Sequence, residues 1–218
     1  MNKTENMTVK KLLSIILFFA GYFANAQTDP AANAVLDRFS ARVASAPSVS
    51  LKFKFIIDDL AEKRADTLTG AVIISQDRYK LEMPNNIIWF DGTTSWSYLV
   101  AEEEVVITTP DKNDNSFMNN PSGIFTMYKT GYKTRLIEER PDRWIIDLYP
   151  EDLKSEIVRV RLTIGKNLND LKILEYRRKD GIVIYIVVNE YNLNIKPEPN
   201  LFTFDRAKYR GVDIIDMR

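Results

Sequence analysis

The sequence predicts a mainly β fold in which one amphipathic helix is followed by a wide antiparallel sheet. Three observations predict it. Helical periodicity occurs once, early in the chain, and strict apolar/polar alternation then recurs segment after segment. Glycine- and aspartate-bearing turns fall between the alternating segments. The 218 residues are 45% hydrophobic and 28% charged, with 30 basic and 30 acidic side chains, the composition of one ordinary globular domain able to bury a substantial core.

The first 26 residues read as an export signal. Lys3, Lys10 and Lys11 make a positive start, Leu12 to Phe23 is an apolar run of 12 residues, and Ala24-Asn25-Ala26 offers small residues for cleavage before Gln27. As a helix that run reaches only about 18 Å against a hydrocarbon core of about 30 Å, too short for an anchor. The expected organisation is a cleaved signal over residues 1–26 and a single domain over 27–218. That domain is expected to be exported and soluble, with no cysteine after the cleavage site to carry a lipid.

Asp29-Pro30 then opens a helix, a carboxylate cap followed by proline at the first helical position. Val35, Leu36, Phe39 and Val43 give it one apolar stripe, and Pro47 stops it. Alternation takes over: Val49, Leu51, Phe53, Phe55 and Ile57 face one way, Ser50, Lys52, Lys54 and Asp58 the other. The same period returns in Leu68, Val72 and Ile74 with Gly70 between them, in Tyr79, Leu81 and Met83, and in Trp96, Tyr98 and Val100. It returns again in Trp144, Ile146 and Leu148, in Val158, Val160, Leu162 and Ile164, and in Ile182, Ile184, Ile186 and Val188. Glu102-Glu103-Glu104 turns the chain into Val105-Val106-Ile107, and Asp91-Gly92, Pro141-Asp142, Gly165-Lys166-Asn167 and Asp180-Gly181 mark further turns. About nine to eleven strands make a sheet that must curl into a barrel or split into a sandwich.

One segment breaks the rhythm. From Pro110 to Gly131 there is no alternation; Asp111, Asn113, Asp114, Asn115, Asn119 and Asn120 suggest a loop, and Pro121 opens a short helix ending near Tyr128. Phe117, Met118, Ile124, Phe125, Met127 and Tyr128 make this insertion apolar. It is either a lid over a binding site or a plug in one end of a barrel, since both bury that apolar face.

The chain has no cysteine and no histidine. That excludes disulfide scaffolds, thiolate metal sites, cysteine nucleophiles and Ser-His-Asp hydrolysis. Balanced charge gives no footprint for nucleic acid. Asp58-Asp59 and Glu138-Glu139 invite an acid–base reading, but neighbours on a strand point to opposite faces, so adjacency builds no shared site. No phosphate-binding glycine loop and no metal-ligand spacing is present, so no catalytic residue, cofactor or metal is assigned and the protein is not expected to be an enzyme. What remains in excess is large apolar side chains, which either fill the inside of the curved sheet or leave a cavity there.

Three stretches carry a family resemblance. Asp91-Gly92-Thr93-Thr94-Ser95-Trp96-Ser97-Tyr98 resembles the strand–turn–strand signature of periplasmic outer-membrane lipoprotein carriers of the LolA type. Asn120-Pro121-Ser122 through Tyr128-Lys129-Thr130-Gly131 resembles their central helical segment. Phe202-Thr203-Phe204-Asp205 and Gly211-Val212-Asp213-Ile214-Ile215-Asp216 resemble their C-terminal pattern. The resemblance covers residues 27–218 and implies an incomplete antiparallel β-barrel of about 11 strands, with an N-terminal helix and a short helical lid over a hydrophobic cavity. It also implies a periplasmic carrier, a monomer, whose partners are acylated lipoproteins, an inner-membrane releasing transporter as donor and an outer-membrane acceptor or the membrane itself. On that reading Phe53, Phe55, Val72, Leu81, Trp96 and Tyr98 line the cavity, and Met118, Ile124, Phe125 and Met127 form the lid. The family's lid-holding arginine sits in an Arg-Pro pair; here Ser75-Gln76-Asp77-Arg78 has no proline, leaving Arg78 as the lid-gating candidate. The alternative within the same fold is binding or sensing of a different envelope lipid.

Overall fold

The computed structural model describes residues 29–111 and 116–218; the expected signal over 1–26 and the loop residues Asn113, Asp114 and Asn115 lie outside the described residues. Helix α1 spans Pro30–Ala44. Asp29 starts it, one carboxylate oxygen accepting from the N–H groups of Ala31 (2.9 Å) and Ala32 (3.3 Å). Its other oxygen accepts from Leu136 N–H at 2.9 Å, so the cap also fastens the helix to a strand edge. Ala32, Val35, Leu36 and Phe39 form the buried stripe. Among the described residues no helix is long and apolar enough to cross a membrane.

Strands β1 (Val49–Asp59), β2 (Arg64–Ser75), β3 (Arg78–Met83), β4 (Asn86–Phe90), β5 (Ser95–Leu99) and β6 (Glu104–Thr108) form one antiparallel meander. Strands β7 (Tyr132–Glu139), β8 (Arg143–Pro150), β9 (Ile157–Gly165), β10 (Asp170–Arg178) and β11 (Ile182–Asn192) form a second. Pairing of β1 with β11 joins them, and β12 (Asp213–Asp216) adds to β6 in parallel. The 12-stranded sheet runs β12-β6-β5-β4-β3-β2-β1-β11-β10-β9-β8-β7, and its edge strands β12 and β7 are not partners. It is an incomplete barrel, with one strand more than the sequence suggested.

Alternation names most of these strands; it misses β7, β10 and β12, and it misses β4. Its residues Ile87-Ile88-Trp89-Phe90 are apolar without a break because both faces are covered: Ile88 belongs to the core, while the Trp89 ring lies 5.5 Å from Phe204 and 5.4 Å from Tyr209.

Register assigns the inner face. Leu51, Phe53 and Phe55 of β1 stand opposite Val72, Gly70 and Leu68 of β2, and opposite Tyr191, Val188 and Ile186 of β11. Ile146 and Leu148 of β8 stand opposite Leu162 and Val160 of β9, and these side chains are fully buried. Gly70 has a specific task. A Cβ there would overlap Met83 Sδ and the Phe53 ring, so the missing side chain is the slot into which Phe53 lies.

Candidate functional site

The candidate site is the inner face of the sheet and its cover. Two pieces outside the sheet lie on that face: α1, and the insertion between β6 and β7, which holds short 3-10 helices over Pro121–Phe125 and Met127–Lys129. Asn120 caps the first, its Oδ1 accepting from Gly123 N–H at 3.1 Å and from Ser122 Oγ at 2.9 Å. Ile124, Phe125 and Met127 are buried and Met118 is half-buried against the same core. The Phe125 ring meets Phe39 of α1 at 5.5 Å between centroids, and Phe117 meets Phe53 edge-on at 5.2 Å.

Two tyrosine hydroxyls latch the insertion. Tyr79 of β3 donates to the carbonyl of Asn119 at 2.7 Å, and Tyr128 donates to Asp37 Oδ1 on α1 at 2.6 Å. Burial, reinforced by the bond to Asp37, pushes the Tyr128 hydroxyl up to about 12. Neither tyrosine was marked as a site residue by sequence. The signal was there in their type, since a buried tyrosine needs a partner for its hydroxyl.

The helix Pro121–Phe125 stands between two recesses, and Ser122 borders both. One of about 290 Å³ is lined by Val43, Ala46, Val49, Ile74 and Phe125, where α1 ends. The other, about 550 Å³, is lined by Tyr79, Phe90, Asn119 and Asn120. Between them the apolar face is occupied by the protein's own side chains. The larger recess falls in the size class of small-ligand pockets, about 300–1,000 Å³.

Phe53, Phe55, Val72 and Leu81 come together on the inner face beneath this cover. Trp96 and Tyr98 do not, and here the expectation is corrected. Trp96 pairs with Trp89, and Tyr98 with Ile87, in the row that includes Lys80 and Glu82, so both rings are on the outer face. Tyr98 packs against Tyr209 at 5.0 Å, under a C-terminal segment that also places Phe204 and Tyr209 on Trp89. Their inward neighbours are Ser95 and Ser97, the latter donating to Asn86 Oδ1 at 2.9 Å. The Arg78 guanidinium lies over the Phe202 ring at 5.0 Å, in contact with the C-terminal segment.

The acidic pairs have structural partners. Asp59 accepts from Ala61 and Glu62 N–H in the turn after β1. Arg140 and Lys166 hold Glu138 and Glu139, respectively, below the usual carboxylate range, the opposite of what a proton donor needs.

The sequence model of the outer membrane lipoprotein carrier protein LolA family matches residues 23–170. No curated protein matches the chain. Among solved structures, an uncharacterized conserved protein from Thermus thermophilus aligns with a TM-score of 0.57 at 13% identity, covering 85% of this chain and 99% of that one, and shares the fold. A LolA superfamily protein from Nitrosomonas europaea aligns at 0.43 with 12% identity, covering 79% and 97%. LprF from Mycobacterium bovis aligns at 0.43 with 10% identity, covering 79% and 99%.

Proposed function

Because this chain belongs to the outer membrane lipoprotein carrier protein LolA family, we propose that it is a carrier without covalent chemistry. It takes up the acyl chains of lipoproteins released from the inner membrane, shelters them from water in the periplasm and delivers them to the outer membrane. A releasing transporter is the donor and an outer-membrane acceptor the recipient. The inner face of β1, β2 and β3, with Phe53, Phe55, Val72 and Leu81, is the acyl-chain surface; Met118, Ile124, Phe125 and Met127 form the lid.

The observation that supports this reading best is how the inner face is covered. Its cover is a non-sheet segment latched by Tyr79 and Tyr128, with a recess on either side of it. Each methylene brought from water onto that face gains about 0.8 kcal/mol. The gain is offset by exposing lid side chains that the closed state had already buried. Binding by exchange of one apolar cover for another is loose enough to reverse, as delivery requires.

The test uses the absence of cysteine from the chain. Asp37→Cys and Tyr128→Cys, joined by a cleavable bis-maleimide, fix the insertion to α1. The linked protein should fail to bind a fluorescent acyl-chain probe and recover when the linker is cleaved. Equal binding by linked and free protein would refute the lid. Mass spectrometry of lipid co-purified from the native host identifies the cargo, and a non-acylated envelope lipid there would favour the alternative.

A further inference from the structure

The outer face of the second meander carries charge where the inner face carries the core. Across one row Arg135 of β7, Asp147 of β8, Arg161 of β9 and Glu175 of β10 stand opposite one another in turn. The two acids lie low: the Asp147 side chain is 1% exposed and that of Glu175 14%. Arg161 grips Asp147 through two hydrogen bonds of 2.6 and 2.8 Å yet keeps 29% of its side chain in solvent, and Arg159 bonds Glu175. In that row the face offers guanidinium outward; in the next row Glu138 of β7 is exposed and paired with Arg140.

Arg159 stands directly opposite Arg177, but Glu175 and, at 3.8 Å, Asp147 take up the charge of Arg159, so Arg177 is the member of the pair that faces solvent. Lys133, Arg135 and Arg177 are exposed, and none has a carboxylate within 4.0 Å among the described residues. In a chain of zero net charge this is a local concentration of cations.

We propose that the outer face of β7–β10 docks on an anionic phospholipid surface. The inference rests on the carrier reading, since the donor and the acceptor of that reading both sit at a membrane surface. A lipid surface fits better than a protein. The cations are spread over three strands, β7, β9 and β10, of an open sheet face, and the aromatic rings there, Tyr149 and Tyr185, stand apart on β8 and β11 without the clustered anchor that protein interfaces use. Each basic side chain near an anionic bilayer strengthens binding by about fivefold.

The test is co-sedimentation of the full chain with phosphatidylglycerol and with phosphatidylcholine vesicles, alongside binding of the acyl-chain probe. The chain should bind the anionic vesicles, lose that binding in high salt and ignore the neutral ones. Arg135→Gln with Arg177→Gln should lower the partition onto anionic vesicles by roughly thirtyfold and leave probe binding unchanged. Arg135→Lys with Arg177→Lys keeps the charge and should retain binding; its loss in the folded lysine variant overturns the proposal, and this variant decides the matter if the glutamine one does not fold. Equal binding to both vesicle types overturns it, as does an unaffected glutamine variant. Binding of polyglutamate without binding of vesicles would assign the face to an acidic protein and overturn the lipid assignment. Vesicle binding that persists while the acyl-chain probe fails would strike the carrier reading and leave the docking face standing.

Discussion

Replacing Tyr128 with phenylalanine separates a lid from a plug. The ring is buried and its only loss is a hydroxyl that donates to Asp37 at 2.6 Å. Such a bond contributes about 1.5 kcal/mol, where the ranges for neutral and charge-assisted hydrogen bonds meet. The melting temperature should fall by about 3–6 °C for a domain of this size. If the insertion is a lid, the same 1.5 kcal/mol is taken from the closed state alone, and the open fraction rises about tenfold while it remains the minority. Apparent affinity for an acyl-chain probe then improves about tenfold, so a less stable protein binds better. Fluorescence titration beside a circular-dichroism melt measures both effects. A lowered melting temperature with unchanged or weaker probe binding would show that the insertion is a plug. Alkali gives a second reading. The Tyr128 hydroxyl is raised from its ordinary value of 10.0 to about 12, so the latch contributes fully below pH 10 and is lost as pH rises through about 12. Alkaline opening should be present in the native chain and absent from Tyr128→Phe.

Two further outcomes test the frame around the site. Asp29→Ala should cost about 1–2 kcal/mol by uncapping α1 and releasing Leu136, read from thermal melts. Asp29 is held below its ordinary value, chiefly by the Leu136 N–H, so its contribution is present above pH 3.8 and lost as pH falls through the lowered value. The gap between native chain and variant should therefore shrink in acid. Asp147→Asn leaves Arg161 and Arg159 facing a neutral amide and should cost about 3 kcal/mol, the low end for a broken buried pair because Arg161 keeps some water. A urea midpoint unchanged in that variant would show that the pair contributes nothing to stability.

Much of this was legible in the chain. Asp29-Pro30 fixed the start of α1, the β1 alternation fixed its inner file, and Asn120-Pro121 opened the 3-10 helix inside the insertion. What alternation cannot say is which of two files faces inward. On β5 the apolar file, Trp96 and Tyr98, points outward, where Tyr209, far along the chain, packs on Tyr98 and, with Phe204, on the neighbouring Trp89, while Ser95 and Ser97 take the inner side. The charged outer face was invisible as well, since Arg135, Asp147, Arg161 and Glu175 become neighbours only through register across four strands.

The order of the strands also sets a schedule for folding. Every partnership inside each meander is made between strands adjacent in the chain, so both half-sheets can assemble from short-range contacts, the fast kind. Ser50 meets Asn192, and Asp213 meets Glu104, only after long stretches of chain have closed into loops. Until that seam zips, each half-sheet shows a raw edge and an undressed oily side. The chain is then most vulnerable to sticking to its neighbours in the interval before β1 finds β11.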